Sequence, residues 1–162
     1  MGGAQVESHG ADAVAVREWI GPDVLPSSLA VGLGAGARYL PLMTKVYAYS
    51  GCGTCRTALK FLKTHGVAHG SVPVREQPPT MTELRKMLAF QGGAVRRLFN
   101  TSGADYRALG LASTLSAMSP DAALDLLATN GNLVKRPFLL TADGGTVGFD
   151  ENVWRELLGI QG

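Results

Sequence analysis

The first coherent run of apolar positions is Val46-Tyr47-Ala48-Tyr49, which stops at the turn pair Ser50-Gly51 and predicts a short strand. The period then changes. Ala58, Leu59 and Leu62 recur at spacings of three and four, Lys60 and Lys63 fall off that stripe, and Gly66 is placed to end a helix in the left-handed conformation. Residues 67–74 read as a second short strand, which Pro73 marks as an edge or irregular one, and 76–79 as a turn. Thr80 followed three residues later by Glu83 is a capping box, and Leu84, Met87 and Leu88 carry the helix on to Gly92-Gly93. A shorter helix is expected over 94–99, a connector over 100–103, another helix around 105–109 and a polar break at 113–116. Ser119-Pro120 is a cap with proline at the first helical position, opening a helix through Ala122, Leu126 and Leu127 that stops before Gly131. Phe138 to Thr141 and Thr146 to Phe149 are two strands joined by Ala-Asp-Gly-Gly, a hairpin signal, and Asp150 caps a last helix over 152–158 that ends at Gly159.

Taken in order, the elements are βαβ, a helical block at about 80–130, then ββα. That order predicts an α/β fold with a thioredoxin-like (glutaredoxin-type) core and an inserted helical subdomain, spanning residues 43–162. Residues 1–42 differ: they are rich in Gly and Ala, lack sustained periodicity and are expected to form a poorly structured extension, with one loose helix over 13–20. At 162 residues, 46% hydrophobic and 17% charged, the composition is that of an ordinary soluble globular protein. A net charge of +2 gives no basis for binding nucleic acid or a membrane surface. The apolar stretch from Val24 to Ala37 is broken by Pro26 and glycines and is too short for a bilayer, which needs about 20 residues. The opening MGGAQV has Val6 where myristoylation needs Ser or Thr. Gly32-Leu33-Gly34-Ala35-Gly36 follows no strand and opens no helix, so it is not read as a nucleotide loop. Two cysteines are too few for a secreted disulfide framework, and a cytoplasmic monomer is the expectation.

The candidate chemistry lies between the first strand and the first helix. Cys52 and Cys55, the only cysteines, form a C-x-x-C at the helix start, the layout of a thiol-disulfide redox site. Free backbone N–H groups and the positive end of the helix dipole favour a thiolate on Cys52, lowering a pKa that begins at roughly 8.5 in free cysteine. Residues three apart on a helix have Cβ atoms about 5 to 6 Å apart, so Cys55 can attack a mixed disulfide formed at Cys52. Cys52 is thus the candidate nucleophile and Cys55 the resolving thiol. The interior pair Gly53-Thr54 is compact and leaves the sulfur open, while Arg56 adds a cation nearby. A zinc site is the competing reading, but His9, His65 and His69 supply no second ligand pair with finger spacing, so no metal is expected. In a thioredoxin-like frame Arg136-Pro137, just before the third strand, is expected to be a cis peptide packed against the C-x-x-C helix.

The succession SGCGTCR, PPTMTEL, RRLFNTSGADYRALGL and VKRPFL resembles the arsenate reductase (ArsC) family, in the branch shared with Spx and related glutaredoxin-like proteins, over residues 44–158. The resemblance implies a nucleophilic cysteine at Cys52, an anion-binding arginine at Arg136 and cis geometry at Pro137; Gly53, Thr54 and Arg56, taken from the motif residues themselves, complete the candidate substrate- or anion-binding set. It also implies no tightly bound cofactor. Glutathione with glutaredoxin, or thioredoxin, would donate electrons, and an oxyanion such as arsenate or a protein mixed disulfide would accept them. Arsenate-reducing members use three arginines. Only Arg136 has a match here: Asn100 occupies the region of the second, the third falls near Phe149 or Asp150, and Arg96, Arg97 and Arg107 are the substitutes to consider. The alternative implied by the same resemblance is an Spx-like redox sensor that binds RNA polymerase without contacting nucleic acid directly. Because a clean strand begins directly after Met43, a chain starting there is expected to unfold cooperatively on heating and to keep both reactive thiols, as calorimetry and thiol titration would show.

Overall fold

The computed structural model describes residues 44–161; the expectations for 1–42 lie outside the described residues. The sheet has four strands: β1 (Lys45–Ala48), β2 (Gly70–Pro73), β3 (Phe138–Leu140) and β4 (Gly145–Val147), in the order β2-β1-β3-β4. β1 runs parallel to β2, with Val46 opposite Ser71, and antiparallel to β3, with Val46 opposite Leu139, while β3 and β4 form the antiparallel hairpin. Pro73 sits on the edge strand, where its missing N–H removes no ladder bond from a central position.

β1 is apolar without alternation because both of its faces are covered. Val46 and Ala48 point to one core with Cys55, Ala58, Leu62, Leu139 and Trp154. Tyr47 points to the other, with Leu84, Met87, Leu127, Phe138 and Leu140. The first core is roofed by α1 (Gly53–Thr64) and α6 (Glu151–Leu158). The α1 stripe is one turn longer than its leucines suggest, since Cys55, Ala58, Phe61 and Leu62 are all buried. Asp150 accepts from the Asn152 and Val153 amides at the start of α6, and Gly159 takes φ 64° at its end.

The second core is covered by the helical block: α2 (Met81–Phe90), α3 (Ala104–Ala108), α4 (Leu111–Thr114) and α5 (Pro120–Thr129). The Thr80–Glu83 capping box opens α2, and the Ser119 hydroxyl accepts from the Ala122 amide to open α5. Two local expectations are corrected. Residues 95–98 form a 3-10 turn rather than an α-helix. The polar break at 113–116 is instead the end of α4 followed by a 3-10 turn, because Leu111 and Leu115 are four residues apart and both are buried in the core.

Glu83 fastens α2 to the sheet. Its carboxylate accepts from Lys45 Nζ at 2.8 Å, the Tyr47 hydroxyl at 2.7 Å and the Thr80 amide at 2.8 Å. Burial alone would raise the Glu83 pKa, but the Lys45, Tyr47 and Thr80 bonds outweigh it and hold the group below the usual carboxylate range. Burial and the charged Glu83 push the Tyr47 hydroxyl upward, so it remains a donor. Removing the carboxylate leaves buried donors facing a hole. Glu83→Ala is expected to lower stability by about 3 kcal/mol in urea unfolding, against about 1 kcal/mol for Thr80→Ala, which removes the cap and one of several donors to Glu83.

Candidate active site

Strand directions decide what meets at one end of the sheet. β1 and β2 are parallel, so both end there; β3 begins there, and β4 ends there. The loops after β1 and β2, the residues before β3 and those after β4 therefore share an edge. They bring Cys52, Arg75, Arg136 and Gly148 to it.

The loop after β1 is a tight turn in which the Cys52 amide donates to the Tyr49 carbonyl at 3.0 Å. A Cβ on Gly51 would lie 2.6 Å from the Tyr49 ring, so a side chain there would have to displace the phenol that folds across the turn. Cys52 is the N-cap of α1, and its sulfur accepts from the Cys55 amide at 3.3 Å, the place usually taken by a Ser or Asp oxygen. Cys52 is half-buried and Cys55 fully buried, and both are free thiols. Burial by itself would raise the Cys52 pKa. The Cys55 thiol, the Cys55 amide, the Arg136 charge and the Thr54 amide together bring it below that of an ordinary cysteine. Cys55 moves the other way: burial, followed by its bond to the Cys52 sulfur, pushes it up to about 11.

The Arg136–Pro137 peptide is cis, and the Pro137 carbonyl accepts from the Gly148 amide at 2.7 Å. The Lys135 amide donates to the Leu98 carbonyl and the Asn100 amide to the Leu133 carbonyl, both at 2.7 Å, so the segment before β3 is strapped to the helical block. Arg136 lies with its guanidinium carbon 5.2 Å from the Tyr49 ring centroid, and its Nη1 is buried without a hydrogen bond. A buried guanidinium donor without a partner can donate to an anion brought to it.

The remaining candidates divide cleanly. Gly53 and Thr54 form the exposed first turn, leaving the sulfur open to solvent. Arg56 is turned back to the Ser50 carbonyl at 3.1 Å and braces the loop. Asn100 donates to the Asn132 carbonyl, Phe149 packs on Phe61 and Trp154, and Asp150 caps α6, so the regions of the second and third family arginines carry structural roles. Arg107 is bonded to the Ser102 carbonyl, and Arg96 and Arg97 line a surface groove with Lys135 and Val147. The cation that sequence reasoning passed over is Arg75, whose guanidinium carbon stands 3.7 Å from the Tyr49 ring centroid. Its signal was positional: it follows the end of the strand parallel to β1.

A thioredoxin-like sheet with a C-x-x-C opening its first helix and a cis proline before its third strand defines the class. The comparisons narrow it. A sequence model of the ArsC family matches residues 47–157. The chain is 43% identical over 110 residues to YusI, an uncharacterized protein of Bacillus subtilis (strain 168), covering 68% of this chain and 93% of that one. It is 31% identical over 99 residues to the arsenate reductase of Escherichia coli (strain K12), covering 61% and 69%. Among solved structures, a Bacteroides fragilis protein described as ArsC family related superposes with a TM-score of 0.68 at 36% identity, over 71% of this chain and 97% of that one. The chain belongs to the ArsC family. No helix among the described residues is long and apolar enough to cross a membrane.

The split between the two thiols gives a pH dependence. Iodoacetamide needs a thiolate, so alkylation of Cys52 should rise with pH through a midpoint below that of free cysteine and then level off, while Cys55 stays protonated until about pH 11. Arg136→Ala removes a cation that favours the thiolate, and should move the Cys52 midpoint upward. Mass spectrometry of tryptic peptides across the pH series measures both.

Proposed function

We propose that the chain is a glutaredoxin-like thiol-disulfide reductase, with a mixed disulfide as its first substrate class and an oxyanion such as arsenate as its second. The observation that carries this reading is the Cys52 sulfur capping α1 while Cys55 lies buried beneath it. The Cys52 thiolate attacks one sulfur of the substrate disulfide, forming a new S–S bond and breaking the old one. The departing thiolate takes a proton from solvent. Cys55 then loses its proton, attacks the Cys52 sulfur and releases the second substrate thiol. The substrate gains two electrons and the protein ends as the Cys52–Cys55 disulfide, which glutathione with glutaredoxin, or thioredoxin, reduces in turn. The setting is a reducing cytoplasm, and the protein acts as a monomer without a bound cofactor.

Arsenate is placed second on electrostatic grounds. An arsenate adduct on Cys52 carries negative charge into a cleft where Arg136 is the one cation matching the family's three. The E. coli relative bears the name arsenate reductase, which keeps that substrate in the test.

The experiment is glutathione oxidation coupled to glutaredoxin and glutathione reductase with arsenate as substrate, run beside reduction of a glutathionylated peptide. Turnover of the peptide is expected, lost in Cys52→Ser. Cys55→Ser should accumulate a mixed disulfide visible by mass spectrometry. Wild-type rates in Cys55→Ser would assign resolution to an external thiol, and inactivity with both substrates would reject the reductase in favour of the sensor that binds RNA polymerase.

A further inference from the structure

The sheet edge that holds Cys52 carries an arginine on each side of it. Cys52 follows the central strand β1, Arg136 precedes β3 on one flank, and Arg75 follows β2 on the other. Both guanidinium groups lie against the same phenol, that of Tyr49, at 3.7 Å for Arg75 and 5.2 Å for Arg136. Two cations gathered on one ring repel each other; the Asp105 carboxylate lies near enough to act on Arg75 but forms no ion pair with it among the described residues, so an anion bound at the guanidinium edge relieves that repulsion further. A guanidinium resting on a ring face keeps its in-plane N–H edge for bidentate bonding, and no side-chain hydrogen bond occupies the Arg75 edge among the described residues.

The two arginines act on different things. The charge of Arg136 is felt by the Cys52 sulfur, whereas that of Arg75 is felt by Asp105, whose carboxylate accepts from Asn130 at 2.9 Å and Asn132 at 3.2 Å. Those two asparagines flank Gly131, where a Cβ would strike the Val74 carbonyl, so the Asp105 cluster is pressed against the backbone that carries Arg75. Arg75 follows the strand beside β1, and of the two arginines Arg136, not Arg75, acts on the Cys52 sulfur, so Arg75 is the arginine of the pair set farther from the reacting atom.

We propose that Arg75 and Tyr49 form a subsite for a carboxylate carried several bonds from the sulfur, selecting small thiols and their disulfides that bear such a group. The ligand lies across the sheet edge, its sulfur at Cys52 and its carboxylate at Arg75. This rests on the reductase reading for its chemistry, but binding can be read without turnover. The test has two arms. In the first, Cys52→Ser is titrated calorimetrically with S-methylglutathione, which cannot react; adding Arg75→Ala should weaken binding about tenfold and Arg75→Lys should recover part of it. In the second, wild type and Arg75→Ala are compared on glutathione disulfide and on the neutral 2-hydroxyethyl disulfide. Arg75→Ala should lower kcat/KM about tenfold for the anionic disulfide and leave the neutral one unchanged, and added salt should shrink the difference. Equal losses on both disulfides, or equal binding by Cys52→Ser with and without the added Arg75→Ala change, would overturn the subsite. Tight, Arg75-dependent binding without turnover of either disulfide would uphold the subsite while rejecting the reductase.

Discussion

The four amides that open an α-helix need acceptors, and in this protein a sulfur is one of them. That single bond, from the Cys55 amide to Cys52 Sγ at 3.3 Å, couples the fold to the chemistry. The same contact that caps α1 favours the anionic form of Cys52, because a helix start holds negative charge better than a neutral group. Much of the neighbourhood then follows from keeping the sulfur there. Gly51 lets the Tyr49 ring fold over the turn, Arg56 braces the Ser50 carbonyl from outside, and the Arg136 segment is strapped down by bonds to Leu98 and Gly148 so that its charge reaches the sulfur.

The helix in turn is held by β1, whose alternation sends Val46 and Ala48 to α1 and Tyr47 to the helical block. Cys55 belongs to the apolar stripe that α1 presents to this strand. Its burial is a packing requirement first and a chemical property second: a side chain at that position fills the core beneath the active turn, so its thiol is shielded whatever the redox state requires. One residue thus serves both the core and the chemistry, which explains why the two sulfurs of a four-residue motif differ so far in exposure.

Features set by neighbours in sequence were legible before any coordinates. The Thr80–Glu83 box, the Ser119-Pro120 start, the Asp150 cap and the Gly66 and Gly159 endings are rules of adjacent residues, and the sulfur pair at a helix start is another. What escaped depends on contacts distant along the chain. Leu111 and Leu115 look like interruptions in a polar stretch until the core that takes them is known. Arg75 reaches the Cys52 edge only because β2 lies parallel to β1, a pairing the local sequence does not show. Phe149 shows the same limit from the other side, since only the structure reveals that it packs on Phe61 and Trp154 in the region where the family resemblance places a cation.

Under the proposed reductase reading, the opposed titration of the two thiols also orders the reaction. Cys55 is pushed up to about 11 first by burial, then by its bond to the Cys52 sulfur and the negative charge there. While Cys52 is a thiolate, Cys55 is therefore held protonated and cannot compete for a substrate. Once Cys52 has entered a mixed disulfide its sulfur is neutral, and both the charge and much of the bond that raised Cys55 are gone. Arg136, which lowers both thiols, remains. In the proposed reaction, the mixed disulfide removes those two contributions while burial, the largest, stays, so Cys55 ionises more readily after Cys52 has reacted than before it.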